Sequence, residues 1–68
     1  MRYKYIRVGM RSKRGYFEYY CKSEEKEFSP REAIDIMAEQ GCRFVGTVPV
    51  NFDGYGCTAY DLVFEIEE

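Results

Sequence analysis

One helix is marked at both ends in this chain, and the runs on either side of it are patterned as strands. Ser29 can cap a helix by accepting a hydrogen bond from an orphan N–H of the first turn. Pro30 at the first helical position loses no hydrogen bond there. Glu32, three residues after the cap, completes a capping box. Ala33, Ile34, Met37 and Ala38 recur at helical spacing as a buried stripe, with Ile36 at its edge. Arg31, Asp35, Glu39 and Gln40 form the wet side, and Gly41 is placed as the left-handed stop, with Cys42 folding back toward Met37. About eleven residues give a helix of roughly 16 Å.

The flanking runs alternate with period two. Residues 2–10 place Lys4, Ile6, Val8 and Met10 on one face and Tyr3, Tyr5 and Arg7 on the other. Both faces of this run carry large apolar groups, as expected of a strand covered by a helix on one side and a partner on the other. Residues 11–15 read as a polar loop closed by Gly15, and residues 16–21 as a second strand, making a hairpin. Residues 22–27 read as a charged connector without a packing signal. After the helix, residues 43–50 read as a third strand, with Pro49 marking its end or a sheet edge. Residues 51–57 read as a glycine-rich loop. Residues 58–66 are the cleanest strand, Tyr60, Leu62, Phe64 and Ile66 alternating with Ala59, Asp61, Val63 and Glu65. The pattern predicts a single α+β domain spanning 1–68, in the order β-β-α-β-β, with one helix packed on a small antiparallel sheet.

A chain of 68 residues buries a small share of its surface, so folding needs extra support from disulfides, a metal or a second subunit. Cys21, Cys42 and Cys57 are odd in number and no secretory leader is expected, so a disulfide framework does not fit and a reducing cytoplasm does. No His is present and no two cysteines are close in sequence, so neither a metal nor another cofactor is expected. Instead the chain has five Phe and seven Tyr, each ring burying roughly 150–250 Å² when covered. That load points to an efficient aromatic core or to rings facing a second copy. No apolar run approaches a membrane span.

Charge is unevenly spread. The first fifteen residues hold six basic side chains and no acid, against a formal net charge of −2 for the whole chain. Arg11, Lys13 and Arg14 gather at the expected hairpin tip beside Tyr16. Such a cluster suits phosphates, and Tyr rings stack on unpaired bases. An acidic protein overall is a poor general nucleic-acid binder, so this reading is the alternative.

No catalytic constellation is visible. Nucleophilic catalysis by Cys or Ser needs a base beside it, and no neighbourhood supplies one. Glu24, Glu25 and Glu27, and Glu65, Glu67 and Glu68, read as solubilising clusters rather than acid–base pairs. The loop bearing Phe52, Asp53 and Tyr55 lacks the ending of a phosphate loop. Asp53-Gly54 is an ordinary turn pair, yet two rings in a glycine-rich loop also suit a binding site.

An N-terminal Tyr-Lys-Tyr strand is followed by a short helix and by Gly41-Cys42-Arg43-Phe44-Val45-Gly46-Thr47-Val48-Pro49. A Gly-rich loop comes next, and then Tyr60-Asp61-Leu62-Val63-Phe64-Glu65. This pattern resembles the domain-of-unknown-function 4177 family of small bacterial and phage proteins. There a helix ending in Gly leads into a G-W-E-L-V-x-V-x-P-like strand, and an L-V-F-K-R strand closes the chain. Phe44 stands where that family usually has Trp, and Glu65 where a basic residue is common. The resemblance covers residues 3–65 and implies a compact α+β domain capable of self-association; it brings no catalytic residue with it.

The sequence therefore leads to a non-catalytic interaction module, a homodimer or small homo-oligomer, with a protein partner also in view. Its candidate binding residues are Tyr3, Tyr5, Tyr19, Phe52, Asp53 and Tyr55. The nucleic-acid alternative uses Arg11, Lys13 and Arg14.

Overall fold

The protein is described from a computed structural model that covers residues 2–23, 26–54 and 56–66. Two long hairpins are built from β1 (Arg2–Lys13) with β2 (Tyr16–Ser23) and from β4 (Cys42–Asp53) with β5 (Gly56–Ile66). A short strand β3 (Lys26–Phe28) and the helix α1 (Pro30–Glu39) lie between them in sequence. All five strands form one antiparallel sheet in the order β3-β2-β1-β5-β4. The β-β-α-β-β order is kept, with one strand added before the helix.

The helix signals act as expected. Ser29 Oγ accepts from the backbone N–H of Glu32, and the Glu32 carboxylate accepts from the Ser29 N–H, satisfying two donors reciprocally. Gly41 takes φ +82, the left-handed stop that a side chain would strain. Ala33 and Met37 are buried, but Ala38 is exposed. The helix crosses the sheet along a narrow stripe, and Ala38 falls outside it.

Alternation along β1 decides the faces. Ile6 and Val8 lie on the helix side with Leu62 and Phe64, and Cys21 and Cys42 join them in the core with Ala33 and Met37. Phe64 is fully buried and meets the half-exposed Phe44 ring edge-on, with centroids 5.8 Å apart. The two buried cysteines are the small apolar fillers expected of free thiols in a core.

Three sequence boundaries move. The loop expected over 11–15 contracts to Arg14-Gly15, both at positive φ (50 and 87), because Lys13 still pairs with Tyr16. The loop expected over 51–57 contracts likewise, since β4 runs to Asp53 and β5 starts at Gly56. Polar side chains in both stretches sit on strands with a solvent-facing side, which imitates a loop. The charged connector 22–27 is in part strand: Cys21, Lys22 and Ser23 pair with Phe28, Glu27 and Lys26. Pro49 marks an edge rather than an end, for β4 is the last strand of the sheet and carries register shifts at Phe44/Gly46, Pro49/Asn51 and Asn51/Phe52.

Both hairpin tips point the same way. Gly9 pairs with Ala59, so the end of β1 and the start of β5 run on side by side. The molecule extends 42 Å along its longest axis, whereas a ten-residue helix reaches only about 15 Å. Roughly half of the helix-side face is therefore uncovered.

Candidate functional site

The expected binding residues do not converge on one site. Tyr3 and Tyr5 lie on the face opposite the helix, at the end of the sheet away from the hairpin tips. Tyr19 lies on the helix-side face, since it pairs with Met10. Phe52 and Asp53 close the β4–β5 hairpin, both exposed. Tyr55 lies outside the described residues, as do the carboxylates Glu24, Glu25, Glu67 and Glu68.

The face opposite the helix is organised by charge pairs across strands. Arg7 Nε donates to Asp61 Oδ1 at 2.6 Å, and Arg43 Nη2 to Glu65 Oε2 at 2.7 Å; both are register partners. Arg11 is the most engaged cation. Its Nη1 lies 2.8 Å from Glu27 Oε1 and donates to Oε2 at 2.9 Å, and its Nε lies 3.6 Å from Glu18 Oε2. The guanidinium also sits 4.4 Å over the Tyr20 ring, whose other contacts include Gly9 beneath it. The hydrogen bond to Glu27 raises the Arg11 pKa, so this cation stays charged at every accessible pH. Lys13 approaches Glu18 at 3.6 Å. The basic hairpin is thus largely matched by acids of its own sheet: Arg11 and Lys13 face carboxylates, and Arg14 occupies the turn.

On the helix-side face beyond α1, a patch of different chemistry is exposed. Met10, Ser12, Phe17, Tyr19, Pro49 and Tyr60 share this face, and none is charged. Phe17 is 60% and Tyr19 41% exposed. Tyr19 and Tyr60 pack edge to face, centroids 5.3 Å apart, and the Tyr19 hydroxyl donates to the Cys57 carbonyl at 2.8 Å. That bond fixes the ring as part of a wall between the two hairpins. Burial pushes the Tyr60 phenol pKa up, with smaller contributions from Cys21, Tyr19 and Cys57. Phe17 and Tyr60 were not singled out by sequence reasoning; the run Tyr-Phe-Glu-Tyr-Tyr at 16–20, read by parity, carries the signal for Phe17.

Burial also raises the Cys21 thiol pKa, which keeps it protonated and unreactive. Among the described residues no group of three or more Cys, Asp or Glu is placed to hold a metal ion, and no helix is long and apolar enough to cross a membrane. No family model, no curated protein and no solved structure matches this chain.

Proposed function

We propose that the protein is a non-catalytic interaction module that works as a homodimer, joined through the uncovered half of its helix-side face. The observation that carries this reading is the uncharged patch around Phe17, Tyr19 and Tyr60, which continues the core face past the end of α1. An uncharged apolar patch is self-complementary: two copies meet without opposing like charges, and aromatic rings supply most of the area at such contacts. The charge-paired face offers no equivalent, because bringing two copies of it together would desolvate Arg7–Asp61 and Arg43–Glu65. Three free cysteines suit a reducing compartment, and the cytoplasm is the location we assign. The likeness to the domain-of-unknown-function 4177 pattern rests on residues 41–49 and 60–65 and agrees with a compact, self-associating domain.

Sedimentation across micromolar to millimolar concentrations tests the dimer. A concentration-dependent rise to twice the monomer mass is expected, and its loss in the double variant Phe17→Ser/Tyr19→Ser. A monomer throughout overturns the reading. Loss in Tyr3→Ser/Tyr5→Ser instead would move the interface to the opposite face. Nucleic-acid binding at Arg11, Lys13 and Arg14 is the weaker alternative, because Glu18 and Glu27 already engage the first two. A salt-dependent oligonucleotide affinity abolished by replacing all three with Ala would reinstate it.

A further inference from the structure

Among the described residues, half of β1 has a strand on one side only. The β1–β2 ladder starts at Val8↔Cys21, and Lys22 and Ser23 beyond it pair with β3 on the far side of β2. Residues 3–7 of β1 pair with β5 on one side only; no described residue pairs with them on the other. In an antiparallel sheet every second residue turns both its N–H and its C=O to one side. Among the described residues, part of this segment therefore presents a backbone edge without a ladder, in the interior of the strand order and not at its rim.

That edge opens onto a cleft of about 430 Å³ between β1, the end of β2 and α1. Ile6, Phe28, Ala33, Ile36 and Met37 line it on the helix side. Its charged lining residues are Lys4, Arg7 and Lys22, with no carboxylate among the described residues that border it. Alternation puts Lys4 and Ile6 on the helix side, and Tyr5 and Arg7 on the other.

We propose that this notch binds an extended peptide segment of another protein, which completes the sheet as a strand beside residues 3–7 and alternates apolar with acidic residues. The backbone edge calls for a β-strand, since only a strand satisfies alternate N–H and C=O groups in register. The helix-side lining calls for apolar residues at every second position. On the other face the cationic lining calls for acids, Lys22 being nearest to hand because Arg7 is already engaged by Asp61. A second copy of the same edge would bring a second set of cations, Lys4 and Arg7, and no carboxylate to the seam. The site is separate from the Phe17–Tyr19 patch, which lies toward the other end of the molecule.

The test uses the full chain, isotope-labelled for amide NMR, and a soluble seven-residue peptide alternating Glu and Val with blocked ends. Shifts at residues 3–7, Lys22, Ser23 and Met37 are expected, with slowed hydrogen exchange at alternate amides of residues 3–7. N-methylation of the peptide backbone on its β1-facing side should weaken binding about tenfold or more, through the lost hydrogen bonds. A Lys-for-Glu peptide and the Lys22→Glu variant should each weaken it severalfold. Absence of binding at millimolar peptide, unchanged affinity after N-methylation, or shifts elsewhere with residues 3–7 exchanging as before would each overturn the proposal. Protection of residues 3–7 that grows with protein concentration alone would assign the edge to a second copy instead. Phe17→Ser/Tyr19→Ser should bind the peptide as the parent does, so a failed dimer and a failed notch give different results.

Discussion

The two halves of the helix-side face obey the same alternation and end differently. Under α1 lie Val8, Cys21, Leu62 and Phe64, all closed from water. Past the end of the helix the same strands present Met10, Phe17, Tyr19 and Tyr60, half-buried or exposed. A period-two pattern says which side a residue takes and nothing about whether that side is covered. Residue type separates the halves better. Aliphatic, thiol and Phe side chains crowd the covered half, whereas the other half adds Tyr19 and Tyr60 to Met10 and Phe17, and the Tyr19 hydroxyl keeps a polar end that meets the Cys57 carbonyl.

Truncating the centre of each half is the strongest way to break this contrast. Phe64→Ala should cost about 3–5 kcal/mol in urea denaturation, through lost burial and the cavity left behind. That is a large fraction of the roughly 5–15 kcal/mol that holds a domain folded. Phe17→Ser, measured on dilute monomer, should change stability by no more than about 0.5 kcal/mol. Equal costs at the two sites would mean the halves are not different in kind. Next in size is the cap: Ser29→Ala should lower stability by about 1 kcal/mol, read as a shift in urea midpoint, because α1 covers the first half.

A pH series sharpens the same contrast. Burial raises the folded-state pKa of Cys21, so its contribution is fully present below the unfolded thiol value and is lost as pH rises through the higher folded one. The urea midpoint should therefore fall as pH rises above the usual thiol value of about 8.5, and Cys21→Val should flatten part of that slope. Tyr60→Phe should remove a further, more alkaline part, by the same sign. An unchanged slope in both variants would show that these groups are wetter than their positions imply. Smallest of all, Arg7→Ala should cost less than about 1 kcal/mol by denaturation, since the Arg7–Asp61 pair is largely exposed on the arginine side.

Legibility in the sequence follows the range of the forces involved. The helix was readable because Ser29, Glu32 and Gly41 act within a few residues of one another. The faces of β1 were readable because parity is local. The strand at Lys26–Phe28 was not, since two of its three residues are charged and the reason for its ordering is the pairing with Cys21–Ser23 and the contact of Arg11 with Glu27. Both hairpin loops looked too long, because Arg11, Lys13 and Asn51 sit on exposed strand faces and carry loop-like composition. Tyr3, Tyr5 and Tyr19 were grouped as one set of rings, yet they fall on opposite faces; that depends on the register between strands, which composition does not encode. The notch beside residues 3–7 depends on where β2 leaves β1, a departure with no residue-level mark.

The blunt rims of the sheet have a consequence for how the protein can assemble. One rim is a three-residue strand, and the other carries Pro49 and three breaks in register. The short strand and the broken register both make a rim a poorer template for adding copies one after another. A strand received at the proposed notch would lie inside the strand order rather than extend either rim.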